Sequence, residues 1–283
     1  MTWWLGGAFV LLTIAIAALG LGRSRWQRTS AALSDALVDM PGPTAADAGR
    51  AGMPDDLPAP VARWFQRAMP AGAPPLIGVE LRQEGDFRTG AGEETWRPFT
   101  AWQRFRADVP GFIWAAEIRM APMMPVFVRD SYVDGRGRMQ ASLLGLRTMV
   151  DESGKPELDA GALLRYLAEA VWFPPAWRPG RGVTWTGIDD RSARVTLTDR
   201  GTTVSGIVRF TDQGDVAEFF SPDRFREVSG AYVPTPWLVR CAAHAEFSGF
   251  RVPTECEVIW QLPEGPQPYW RGRVVDVRYD FGS

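Results

Sequence analysis

The chain of 283 residues carries 31 basic and 33 acidic side chains, a formal net charge of −2, which excludes the strongly basic surface expected of a nucleic-acid binder. Apolar residues make up 46% of it, so disorder is excluded too, and the length fits one globular domain with attached segments. A single histidine and two cysteines without metal-ligand spacing exclude a multi-histidine centre and leave no zinc site.

All the basic residues but Lys155 are arginine, and Ala, Gly and Pro are abundant, a pattern of GC-rich coding rather than of phosphate binding. Thirteen Trp and 15 Phe supply large apolar rings that either fill a β core or line a ligand site.

No charged side chain occurs from Thr2 to Gly22, and Trp3-Trp4 and Trp26 bracket the apolar run Leu5 to Leu21. At about 1.5 Å per residue the stretch from Trp4 to Trp26 spans roughly 33 Å, close to a hydrocarbon core with its interfacial aromatics. Residues 1–28 therefore read as a transmembrane anchor, with residues 3–22 in the bilayer. A cleaved signal peptide would want a basic n-region and a shorter apolar run. The expected location is a bacterial inner membrane, crossed once. Arg23, Arg25 and Arg28 follow the span, which by the positive-inside rule puts the domain in the cytoplasm.

Residues 29–55 read as a juxtamembrane segment and tether: Leu33, Leu37 and Met40 recur at helical spacing, then Pro41-Gly42-Pro43 opens an Ala/Gly/Pro-rich stretch. A single β-rich domain is expected over 56–283. It starts with a short helix capped by Asp56 and carrying Val61, Trp64, Phe65 and Ala68. Period-2 runs then mark strands at Ile77 to Leu81, Phe99 to Phe105 and Phe112 to Ile118, punctuated by turns such as Asp134-Gly135. After residue 190 the pattern resumes through 193–197, 204–210, 217–220, 238–247, 250–261 and 273–281. In the last of these, Val275, Val277, Tyr279 and Phe281 alternate with Asp276, Arg278 and Asp280, giving one buried and one wet face.

One hairpin can be registered from the residues. With Ser248-Gly249 as a two-residue turn, Phe247 faces Phe250, Ala245 faces Val252, His244 faces Pro253, Glu246 faces Arg251 and Cys241 faces Cys256. Polar and apolar residues then separate onto two faces, which a one-residue slip would mix. Cys241 and Cys256 are thus within disulfide reach, or are two reduced core cysteines; a formed bridge would place the domain outside the cytoplasm, against the arginine rule.

Between the two groups of strands lies one helix. Asp159 is its expected N-cap, Leu163, Leu164, Leu167, Val171 and Trp172 form its apolar stripe, and Pro174-Pro175 ends it. Arg165 and Glu169 sit four apart with Trp172 and Phe173 a turn further on. They are either an exposed ion pair, contributing only a few tenths of a kcal/mol, or a polar spot in a cavity whose aromatics hold a ligand's apolar part. In the cavity case Glu169→Ala weakens binding and leaves the melting temperature nearly unchanged.

No catalytic constellation stands out. His244 falls on a strand's polar face beside a turn, Asp189-Asp190 sits at a turn, and the Gly-rich run at 134–138 matches no phosphate loop.

Leu57-Pro58-Ala59-Pro60-Val61, Trp96-x-Pro-Phe99-x-Ala101, Arg129-Asp130-x-Tyr132-x-x-Gly135-x-Gly137, Arg165-Tyr166-Leu167-x-Glu169-x-x-Trp172-Phe173-Pro174 and Pro268-Tyr269-Trp270 together resemble an uncharacterised bacterial domain-of-unknown-function family. The resemblance covers roughly residues 57 to 281. Pro175 departs from the small residue expected there. The family brings no activity to carry over; it implies a fold similar to the lipoprotein-sorting (LolA-like) half-barrel, which would set the domain in the periplasm.

The expected fold is therefore mainly β (α+β): a curved open antiparallel sheet or half-barrel with one central helix and a short N-terminal helix, preceded by a transmembrane helix. The expected role is non-catalytic binding of a lipid-like or apolar ligand through Arg165, Glu169, Trp172 and Phe173, with no cofactor, no metal and no nucleic acid. The alternatives are a structural or protein-docking module with a filled interior, and a hydrolase relying on His244 or a carboxylate pair converging in a cleft.

Overall fold

A computed structural model describes residues 2–42, 56–70, 72, 74–88 and 95–282, and within the first helix it leaves the side chains of 2–12 and 14–16 undescribed. The chain forms helix α1 (Thr2–Val38), helix α2 (Ala59–Ala68), six strands, helix α3 (Pro156–Glu169), two single 3-10 turns and seven more strands. The first six strands are β1 (Leu76–Arg88), β2 (Trp96–Arg106), β3 (Gly111–Ala121), β4 (Met124–Val133), β5 (Arg136–Leu143) and β6 (Arg147–Ser153). The last seven are β7 (Val183–Asp189), β8 (Ser192–Asp199), β9 (Thr202–Phe210), β10 (Val216–Val228), β11 (Ala231–Phe247), β12 (Phe250–Leu262) and β13 (Gly265–Phe281).

All strands belong to one 13-stranded antiparallel sheet in the order β6-β5-β4-β3-β2-β1-β13-β12-β11-β10-β9-β8-β7. Two meanders are thus joined by the pairing of the first strand with the last, and α3 carries the chain from one free edge, β6, to the other, β7. The helix touches β3 to β6 on one wing and β9 and β10 on the other. In a flat sheet β5 and β9 would lie roughly 43 Å apart, nine spacings of about 4.8 Å. The 14 residues of α3 reach only about 21 Å. The sheet must therefore roll around the helix, as strand twist over this many strands favours. The open half-barrel expected from sequence is what forms.

Local sequence drives the meander. The hairpins at Asp134-Gly135, Arg200-Gly201, Ser229-Gly230 and Ser248-Gly249 have both turn residues at positive φ, the two-residue turn whose twist matches its strands. Register in the β11–β12 hairpin is as expected, with Cys241 opposite Cys256 and His244 opposite Pro253. β13 departs from simple alternation: the register against β1 shifts between Arg82 and Gln83, so that Val274 is buried while Val275 is 47% exposed.

Two cap expectations fail. α2 begins at Ala59 behind Pro58 and α3 at Pro156 behind Lys155, and neither has a side-chain cap, because the prolines take the first turn where no N–H is needed. Asp159 instead accepts a hydrogen bond from the Gly137 backbone N–H, tying α3 to β5. The expected buried face of α2, with Val61, Trp64, Phe65 and Ala68, is observed.

Strand alternation decides which helix sees which face. On β4, Val128 and Asp130 point inward toward α3, while Phe127 and Arg129 point outward to α1. Trp26 stacks on Phe127, and the Arg129 guanidinium lies 4.3 Å from the Trp26 ring and donates to Ser30 Oγ. At the end of α1, Leu37 is fully buried, and Arg106, paired with Asp108, donates to the carbonyls of Leu37, Val38 and Met40. A guanidinium there answers both the unpaired carbonyls and the helix dipole.

Helix α1 runs without a break past residue 28. Among the described residues no helix is long and apolar enough to cross a membrane, so the structure gives no support to the expected anchor; most side chains of that span, and the tether from residue 43 to 55, lie outside the described residues.

Candidate functional site: a cavity beneath the central helix

The inner face of the sheet is mostly packed. Tyr166 donates to the Arg106 carbonyl, Trp172 to the Pro253 carbonyl and Trp177 to the Leu167 carbonyl, so the polar tip of each of these three buried rings finds a backbone acceptor. Tyr132 on β4 donates to Asp199 on β8, bridging the two wings through the interior. Burial and this bond to a carboxylate push the Tyr132 hydroxyl well above its usual range, so it stays a donor.

A cavity of about 250 Å³ remains between α3 and the strands on either side. Its wall is chiefly aromatic and aliphatic: Phe87, Trp114, Trp172, Trp237, Tyr269 and Trp270, with Val128, Met139, Val239 and Val258. Gly161 and Ala162 on α3 keep the helix thin at this point, and a Cβ built on Gly161 would meet nothing within 4 Å.

A cluster of three charged side chains interrupts the apolar wall, apart from Arg224 and Glu157 elsewhere on it. Arg165 bonds Glu169 at 2.9 Å and Asp130 on β4 at 2.7 Å, and all three side chains are 16% exposed. The network continues outward from the helix. Gln103 donates to Glu169 at 2.7 Å, Gln83 donates to Gln103, and Trp114 donates to Gln83. Gln83 and Gln103 are buried on β1 and β2, where an unpaired amide would be costly, and the chain of bonds satisfies them in turn. Burial raises the Glu169 carboxyl above its ordinary range, against the pull of Arg165 and Gln103. For Arg165 burial acts downward, and Glu169 and Asp130 outweigh it, so its pKa is raised and it stays charged. The exposed ion pair allowed by the sequence is thus a part-buried one, 16% exposed and shared with Asp130.

Of the residues expected at the site, Arg165, Glu169 and Trp172 line the cavity. Phe173 does not. It is fully buried behind the wall, its ring 4.5 Å from Phe105 and 5.4 Å from Tyr166, because the chain leaves α3 through a 3-10 turn that sends successive side chains in different directions. Cys241 and Cys256 stand opposite each other as free thiols with sulfurs 3.7 Å apart, and Cys256 reaches the cavity wall. The hydrogen bond to Cys241 and burial both push the Cys256 thiol pKa up, which disfavours a reactive thiolate.

Sequence reasoning missed Arg224 on β10. It lines the cavity, its guanidinium sits 4.3 Å from the Trp237 ring, and its Nε and Nη1 are closed to solvent without a hydrogen-bond partner. Nothing in the composition marks it among thirty arginines. Burial lowers its pKa.

His244 is absent from the cavity wall. It neighbours Asp215, which Arg67 and Arg251 hold from two sides, and burial pulls its pKa down. Among the described residues no group of three His, Cys, Asp or Glu side chains is placed to hold a metal ion.

Residues 49–272 match the family of unknown function DUF6544. The chain belongs to that family. No curated protein matches the sequence. Among solved structures, a LolA superfamily protein from Nitrosomonas europaea is similar at 11% identity and a TM-score of 0.42, covering 79% of this chain and 93% of that one. The mainly β, open antiparallel architecture and the half-barrel assignment rest on the strand pairing and helix contacts given above.

Proposed function

We propose that this protein binds a lipid-like or apolar molecule in the half-barrel cavity without transforming it, and that residues 3–22 attach it to a bacterial inner membrane as a single span. The observation that carries the binding reading is the cavity itself, a largely aromatic-walled space of about 250 Å³ with a few charged side chains, the Arg165–Glu169–Asp130 group, Arg224 and Glu157. Such a site, apolar with few convergent polar atoms, is the usual composition of a small-molecule pocket. A docking module with a filled interior would have no such space. The hydrolase alternative finds no support at His244, which is not part of the wall.

Membrane attachment draws support from the place where α1 passes the β5–β6 turn. Gly22 lies so close to the β5–β6 turn that a Cβ would come within 2.4 Å of the Leu144 carbonyl oxygen. Around that point Leu21, Met123, Met124 and Leu146 are exposed, at 67%, 70%, 46% and 54%. Exposed apolar residues gathered at one end mark a contact with something apolar.

The test is native mass spectrometry with lipid extraction on the full chain purified from native membranes. A stoichiometric apolar molecule is the expected result; a ligand-free protein that also ignores added single-chain amphiphiles would move the assignment to a docking role.

A further inference from the structure

Among the described residues Arg224 is the cavity cation that no carboxylate pairs. Asp130 and Glu169 are both taken by Arg165. The acid nearest in sequence, Asp223, accepts the Ser221 hydroxyl instead. Among the described residues Arg224 forms no ion pair, and two of its donor nitrogens are shut from water and unbonded. Trp237 beneath it and Trp260 at 5.9 Å supply cation–π attraction. That attraction satisfies no N–H. A guanidinium cannot discharge itself by losing its proton as a buried lysine can, so a closed-off Arg without an acceptor is costly.

Two further features point the same way. The β10–β11 register shifts between Ser221 and Arg224, a bulge of the kind that re-aims a side chain toward a site. Two residues on, and so on the same strand face, the Arg226 guanidinium lies 6.0 Å from the Trp260 ring, again with an unbonded, closed-off Nε. Two positive groups thus approach one aromatic surface, and among the described residues no carboxylate pairs with either.

We infer that Arg224 is the seat of an anionic head group, so that the cavity's ligand is a single-chain amphiphile ending in a carboxylate or phosphate. The inference rests on the ligand-binding reading above and narrows its substrate class. Size supports one short chain: a space of about 250 Å³ lies below the usual small-molecule pocket range of about 300–1,000 Å³. The anion gives Arg224 charge-assisted hydrogen bonds. The alkyl part lies along Trp172, Trp237 and Val239.

The experiment is calorimetric titration of the full chain, held in zwitterionic nanodiscs with empty nanodiscs as the blank. The probes are decanoate, decyl phosphate, decanol and inorganic phosphate, against wild type and Arg224→Met, which keeps the stem over Trp237. Wild type is expected to bind decanoate or decyl phosphate about tenfold to a hundredfold more tightly than decanol, the worth of a hydrogen bond to a charged group. Arg224→Met is expected to lose that preference, binding the two anions no more tightly than decanol. The stronger of the two anions identifies the head group. Equal binding of decanol and both anions by wild type overturns the inference and leaves the apolar-binding reading standing, whereas binding of none of the alkyl probes overturns both. Inorganic phosphate binding as well as decyl phosphate would show a free-anion site and overturn the amphiphile assignment.

Discussion

Glu169→Ala should destabilise the fold strongly, contrary to the unchanged melting temperature expected from sequence for a cavity residue, because Gln103 and Arg165 both depend on this carboxylate. The Glu169 side chain is 16% exposed and accepts from both Arg165 and Gln103, at 2.9 and 2.7 Å. Truncation leaves the buried Gln103 amide without its acceptor and Arg165 with Asp130 alone. Breaking a buried pair by removing one partner costs about 3–5 kcal/mol. Because Asp130 remains on Arg165, the lower figure is the better estimate, about 3 kcal/mol. At about 2–4 °C per kcal/mol for a chain of this size, the melting temperature should fall by roughly 6–12 °C. Glu169→Gln, which keeps an acceptor for one neighbour, should lose less than half as much. Thermal unfolding followed by circular dichroism on the three proteins reads this directly. A melting temperature for Glu169→Ala within about 2 °C of wild type would refute the buried-network account, since it would value the group as a solvated surface pair.

Gly161→Ala should raise stability by about 0.5–1 kcal/mol, since the helix gains a better former and the new Cβ meets open space; a loss in denaturant titration would show the space is filled. Asp215 is buried, which alone would raise its pKa, but hydrogen bonds from Arg251 and Arg67 hold it down at about 2. Its folded pKa lies below the ordinary 3.8, so its contribution, about 2 kcal/mol, is present above roughly pH 5 and fades as the pH falls toward 2. The stability gap between wild type and Asp215→Asn should therefore narrow over that window, and a gap independent of pH would contradict the assignment. A mild thiol oxidant should join Cys241 to Cys256 within one chain, their sulfurs being 3.7 Å apart, so that neither labels with a thiol reagent after denaturation; chain-to-chain linkage would show the register to be wrong. Arg106→Ala should release the end of α1 and strand Asp108, making backbone amides near residues 35–40 exchange faster; unchanged exchange would remove Arg106 from its anchoring role.

Much of this architecture was legible because its signals are local. The hairpin register followed from a turn dipeptide and two alternating faces, and the stripe of α3 and the buried face of α2 followed from helical spacing. What escaped depends on distant parts of the chain. β5 and β6 are too polar to show alternation, and β7 is exposed along most of its length. The pairing of β1 with β13, which joins the two meanders, has no local signal at all. Residue spacing cannot tell a buried Arg165–Glu169 pair from a solvated one, because the difference is made by Asp130 on β4 and Gln103 on β2. Trp172 and Phe173 look alike in sequence, and only the 3-10 turn decides that one faces the cavity and the other the core.

The central claim is that the cavity beneath α3 is a binding site, and filling it without disturbing its wall tests this most directly. Gly161→Phe places a ring into the open space facing that glycine. Titrating an apolar fluorescent probe against wild type and Gly161→Phe, with circular dichroism to compare their folds, should show affinity falling by at least about tenfold while the unfolding temperature holds. Undiminished probe binding by a folded Gly161→Phe protein would place the ligand elsewhere and contradict the account.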